Sequence, residues 1–153
     1  MKAKRIISLL LCAVLLLGSV AMLASCSKKD GNIKLSKKTA EIDLTGYHVL
    51  YEDAAALKTR YFLSIVNDLA GVISEKTDKS VTARAFTKTQ STAADPEILV
   101  GNTAREQSAA ALKSIKGDGF TIQVIDNKIV IVGCDSDHTR LAAEYFLEHY
   151  VGC

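Results

Sequence analysis

Tryptophan is absent from this 153-residue sequence, proline occurs once and glycine nine times. Collagen-like and low-complexity chains need far more of the last two and are excluded. An excess of one charge is missing as well. Of 19 lysines and arginines, three (Lys2, Lys4 and Arg5) belong to an N-terminal leader, which leaves 16 against 17 acidic residues. A near-neutral chain offers no electrostatic case for nucleic acid as a partner. Length is short too: a catalytic barrel takes about 250 residues, so this chain holds one domain. With 48% hydrophobic and 24% charged residues, that domain has the material for a core and does not read as disordered.

What is present begins with the leader. Its three cations precede an apolar run from Ile6 to Leu23, broken only by Ser8, Gly18 and Ser19, the charge-then-hydrophobe order of an export signal. Leu23-Ala24-Ser25-Cys26 follows and resembles the lipobox of bacterial lipoproteins. The resemblance implies cleavage after Ser25 and a diacylglyceryl group on the Cys26 sulfur. Residues 1–25 are then a signal peptide, and the protein is exported and lipid-anchored to the outer face of the bacterial cell membrane. An uncut transmembrane anchor is the alternative for such a run, but it leaves the place of Cys26 unexplained. Two acyl chains suffice for anchorage, at about 0.8 kcal/mol per buried methylene. Ser27 to Thr39 carries five lysines and no apolar period. Residues 26–44 read as a solvated, lipidated tether, with attraction of the lysines to anionic head groups as the alternative.

Cys12 leaves with the leader and Cys26 is taken by lipid, so Cys134 and Cys153 remain. A bridge between them is not expected. They flank a helix of roughly 14 residues, about 20 Å long, and a disulfide needs its α-carbons within about 7 Å. Cys134 is expected as a small buried residue at a strand end. Scattered His48, His138 and His149 match no zinc spacing, so no metal and no cofactor are expected.

From residue 45 the pattern alternates strands and helices. Tyr47 to Tyr51 reads as a strand and Asp53 as the cap of a helix opening at Ala54, with Leu57, Tyr61, Ile65 and Leu69 on its buried stripe and its end near Lys76. Val81 to Phe86 reads as a strand and Thr87 to Ala94 as a loop. Pro96 to Gly101 reads as an internal strand. Thr103-Ala104-Arg105-Glu106 fits a capping box for a helix reaching about Ile115. Phe120 to Val132 folds into a hairpin around Asp126-Asn127; with Ile125 facing Lys128, Val124 pairs with Ile129 and Ile122 with Ile131 on an apolar side, and Gln123 pairs with Val130 and Thr121 with Val132 on a mixed one. A last helix from Asp137 carries Leu141, Ala142, Tyr145, Phe146 and Tyr150 and stops at Gly152. Leu141, Tyr145 and Phe146 are expected to lie on Ile122, Val124, Ile129 and Ile131. The class is α+β: a mixed sheet of about five strands with three helices packed against it, in the order β-α-β-β-α-β-β-α.

Glu97 to Thr103, Asp118 to Ile122, Lys128 to Gly133, and Phe146-Leu147-Glu148 with Tyr150 and Gly152-Cys153 together resemble the N-terminal accessory domain of bacterial alpha-glucuronidases and beta-hexosaminidases, over residues 45–153. The resemblance implies a sheet with helices, zincin-like but without metal, placed before a barrel that carries the catalytic carboxylates. That barrel begins after the Gly-Cys at which this sequence stops, so no catalytic residue is expected here. A glycine usual after the first helix is Asp78, a residue tolerated in the left-handed region.

Paired carboxylates are the residues glycoside hydrolysis needs, and Asp95 with Glu97 and Asp135 with Asp137 are the close pairs. Both stand at element ends, where acids serve turns and caps. Asp135 and His138 resemble a base with its orienting acid, but no nucleophile is identifiable beside them, and a helix cap accounts for both. Gly101-Asn102-Thr103 offers backbone donors to an anion, a role expected to be filled by Glu106. The reading is a surface-anchored lipoprotein with a non-catalytic accessory domain of a carbohydrate-active protein, whose partners are the membrane and a missing catalytic domain or a glycan. A stand-alone carbohydrate- or protein-binding module is the alternative, and a small hydrolase the third reading.

Overall fold

The computed structural model describes residues 41–151 and the backbone of Asn32–Ile33. The leader, Cys26, most of the tether, Gly152 and Cys153 lie outside the described residues. Among the described residues there are seven strands: β1 (Asn32–Ile33), β2 (Ile42–Asp43), β3 (His48–Tyr51), β4 (Ala83–Ala85), β5 (Glu97–Val100), β6 (Phe120–Ile125) and β7 (Lys128–Gly133). Three α-helices join them, α1 (Arg60–Thr77), α2 (Glu106–Ser114) and α3 (Ser136–Phe146), and the last helix, expected to run on to Gly152, gives way after Phe146 to a π-helical segment at Leu147–Val151. β1 and β2 form a small antiparallel pair. The other five make one sheet in the order β4-β3-β5-β7-β6, parallel except for the antiparallel edge strand β6. The α+β class, the mixed five-stranded sheet and the order of its strands and helices are those the sequence predicts; the β1–β2 pair, within residues read as a solvated tether, is not.

Both faces of the sheet are covered, because side chains alternate along each strand. Val49, Ile98, Val100, Ile129 and Ile131 point to the face packed by α1 and α3, whereas Leu50, Leu99, Val130 and Val132 point to the face packed by α2. The mixed side of the hairpin therefore has a helix of its own. α1 buries Phe62, Ile65, Val66, Leu69, Ala70 and Ile73, the large side chains contributing about 1.5–3 kcal/mol each. The hairpin register is the predicted one at every pair. Asp126 makes it possible by adopting φ +55°, a conformation Asp tolerates through local hydrogen bonding. Asp78 ends α1 in the same left-handed region at φ +56°.

Several expectations are corrected. α1 starts at Arg60, and its cap is Thr59, whose hydroxyl accepts from the Phe62 N–H. Residues 54–58 form tight turns instead, with Leu57 N–H on Ala54 O and Lys58 N–H on Ala55 O. Asp53 accepts from Thr87 and pairs with Lys58. The capping box does not form: α2 begins at Glu106 after Arg105, with no side-chain cap, and the Thr103 hydroxyl bonds Ser108 at 2.7 Å. The second strand shrinks to Ala83–Ala85, because the chain turns into a 3₁₀ segment at Phe86. Tyr61 leaves the buried stripe and is exposed; Leu57 stays buried, ahead of the helix. Of the side chains assigned to the last contact, Phe146, Ile129 and Ile131 are buried, but Val124, Leu141 and Tyr145 are 41%, 43% and 40% exposed. The smaller Ala142 and Ala143 face the sheet in their place. Leu44 is fully buried, so the packed domain starts slightly before residue 45.

Candidate functional site

The chain leaves β3 for α1 on one face and β5 for α2 on the other, so the strand order reverses between β3 and β5. In open parallel sheets the crevice at such a reversal, beyond the C-terminal strand ends, is the usual ligand site. Here it is filled by Glu52. Its N–H bonds Val100 O, and its Oε2 accepts from the Asn102 N–H at 2.8 Å. Gly101 adopts φ +91°, and a Cβ there would lie 2.7 Å from the Glu52 side chain. Glu52, not Glu106, thus takes the donor that Gly101-Asn102-Thr103 would offer an anion.

One strand further along, β7 ends at Gly133-Cys134-Asp135 and α3 begins at once. A Cβ on Gly133 would lie 2.3 Å from the backbone of His138 and Thr139, so only glycine lets the first turn of α3 sit on the strand end. The Thr139 hydroxyl accepts from the Gly133 N–H at 3.0 Å. Asp135 is the helix cap, its Oδ1 accepting from the His138 N–H at 2.8 Å. These bonds from the His138 backbone and side chain hold the Asp135 carboxyl below the usual range. His138 Nδ1 lies 2.9 Å from Asp135 Oδ1 and 3.3 Å from Cys134 Sγ. The sulfur also accepts from the Gly119 N–H at 3.3 Å.

Cys134 is exposed, which corrects its reading as a buried residue: it stands one residue past β7, in the turn into α3. It is also a nucleophile beside His138, where the sequence identified none. A cysteine-histidine-acid triad nevertheless needs the nucleophile and the orienting acid on opposite ring nitrogens, and here both meet Nδ1. Sequence spacing hid the cluster, because Cys134 and His138 stand four apart across a strand-to-helix junction. Asp137 is 88% exposed along its side chain and reaches only Arg140, at 4.0 Å.

The other carboxylate pair lies at the opposite end of the sheet. Glu97 and Lys128 are register partners on β5 and β7, and both are fully buried. Arg105 grips Glu97 with two bonds of 2.9 and 2.6 Å, the Ser91 hydroxyl adds a third at 2.6 Å, and Lys128 Nζ lies 3.3 Å from Oε2. The ammonium also donates to the carbonyls of Ala93 and Asp95. Burial pushes the Glu97 carboxyl up, but Arg105, Ser91 and Lys128 outweigh it and hold it below the usual range. Asp95 accepts from the backbone and side chain of Thr92. Neither acid is free for proton transfer; both tie the loop before β5 to the sheet.

A groove of about 570 Å³ opens beside β3 and β4, lined among others by Tyr47, His48, Lys79, Arg84 and Asp95. Near the C-terminal end of the described chain, Tyr145 stacks on His149 at 4.0 Å and meets Phe120 at 5.8 Å, all three exposed. Among the described residues no helix is long and apolar enough to cross a membrane. Comparison with protein-family models, with curated proteins and with solved structures returns no match.

Proposed function

We propose that the protein is an exported lipoprotein, anchored through Cys26 to the outer face of the cell membrane, that carries a non-catalytic accessory domain of a carbohydrate-active protein. One observation carries the second half. The segments behind the resemblance fall on three neighbouring strands and the last helix, with Glu97–Val100 as β5, Phe120–Ile122 in β6, Lys128–Gly133 as β7 and Phe146 closing α3, consistent with the sheet-with-helices arrangement that the resemblance implies. The candidate carboxylates support the non-catalytic reading: Glu97 is locked in an ion network and Asp135 in a helix cap.

Two experiments test this. Cells expressing the chain incorporate a fatty-acid probe, and Cys26→Ala loses both label and membrane association; retention of both refutes lipidation at Cys26. The purified chain leaves aryl glycosides and uronic-acid-capped oligosaccharides intact. Turnover abolished by Asp135→Asn or Asp137→Asn refutes the non-catalytic assignment. The groove beside β3 and β4 favours a second reading, a stand-alone carbohydrate-binding module, because it combines an aromatic ring with cations and hydroxyls. Glycan-array binding lost on Arg84→Ala supports that reading over the first.

A further inference from the structure

We propose that Cys134, Asp135 and His138 form a binding site for a zinc-class transition-metal dication. One ligand atom from each residue lies within 4.8 Å of the other two. With metal–ligand bonds of about 2.0–2.3 Å, a tetrahedron has edges of roughly 3.3–3.8 Å. The Sγ to Nδ1 separation of 3.3 Å is already such an edge, and the 2.9 Å between Nδ1 and Asp135 Oδ1 needs to open by only a few tenths.

Chelation needs something other than a triad, three donor atoms close enough to share one ion, and that proximity is present. The cluster is also held in place from behind. Gly133 brings the first turn of α3 onto the strand end, and the Gly119 N–H donates to the sulfur, the kind of outer hydrogen bond that orients metal ligands. Thiolate, imidazole and carboxylate together select zinc-class ions over calcium or magnesium, which take oxygen ligands. Binding releases the thiol proton to solvent, and thiolate and carboxylate then neutralise the dication. Cys134 and Asp135 are exposed, so solvent supplies the remaining coordination and the site stays open at one position.

The test is titration of the full chain, purified in detergent under reducing conditions, with Co²⁺ as a spectroscopic stand-in for Zn²⁺. The expected result is a thiolate-to-cobalt charge-transfer band with the visible transitions of a four-coordinate ion, saturating at one ion per chain and lost on adding Zn²⁺. Cys134→Ser abolishes the charge-transfer band. His138→Gln, and Asp135→Asn, which keeps a cap, each weaken binding by about tenfold or more, since loss of even an outer-shell partner costs about that much. Circular dichroism of each variant separates loss of ligand from loss of fold. No band in the parent chain, or a band that survives unchanged in both Cys134→Ser and His138→Gln, overturns the assignment.

Discussion

Replacing Glu97 by glutamine changes one oxygen for an amide and leaves two cations facing each other. The side chain keeps its shape, so packing is preserved and the change is electrostatic. Lys128 is fully buried and loses its anion, while Arg105 loses the charge behind its two-bond grip. Breaking a buried pair by removing one partner costs about 3–5 kcal/mol, a large part of the roughly 5–15 kcal/mol that holds a domain together. At about 4 °C per kcal/mol, the melting midpoint should fall by roughly 12–20 °C. The pH dependence is a second readout. The Glu97 carboxyl titrates below its usual range in the folded protein, so its contribution is complete above the unfolded value of about 4.3 and is lost as pH falls through the folded one. The gap between parent and variant should therefore be full at neutral pH and close in acid. Glu97→Gln combined with Lys128→Met removes one cation with the anion and should regain part of the loss. Thermal melts across pH decide it: a midpoint within about 2 °C of the parent at pH 7, or a gap that widens in acid, refutes a charge network that holds the loop.

Phe146→Ala removes a fully buried ring and should cost about 3–5 kcal/mol, whereas Glu148→Ala, on the exposed side, should change stability by less than about 0.5 kcal/mol; urea melts compare the two. Gly133→Ala places a methyl against the backbone of α3 and should destabilise by about 1–3 kcal/mol or more, measured the same way. Asp78→Gly relieves a left-handed residue at the end of α1 and should raise stability by up to about 1 kcal/mol, seen as a higher melting midpoint.

The hairpin was legible because two local rules agree there: alternation fixes which side chains share a face, and Asp126-Asn127 fixes the turn. The internal strand at Glu97 to Val100 was legible from its apolar run alone. Helix starts were not, since Asp53 and Thr103 are good local caps that tertiary partners outbid. Thr87 and Lys58 hold Asp53, and Ser108 holds Thr103. The buried ions were hidden for a related reason. Nothing local marks Lys128, which the hairpin pattern only pairs with Ile125, as a buried cation until β5 and the loop carbonyls of Ala93 and Asp95 are laid beside it, and that meeting joins residues more than thirty apart. The cluster at Cys134 needed the close seating of α3 on Gly133, which no spacing rule contains.

The strand order also sets when this molecule becomes a solid object. β5 lies at the centre of the sheet, and one of its two flanks is β7, which starts only at Lys128. A nascent chain shorter than that has β3, β4 and β5 with one side of β5 unpaired, and it lacks α3, whose Phe146 closes the core. Parallel pairings between distant segments form slowly in any case. Cooperative collapse of this domain therefore waits until β7 and α3, residues 128–146, have been made. On the proposed route out of the cell, that delay keeps the protein narrow enough for a translocation pore and postpones its folding to the far side of the membrane.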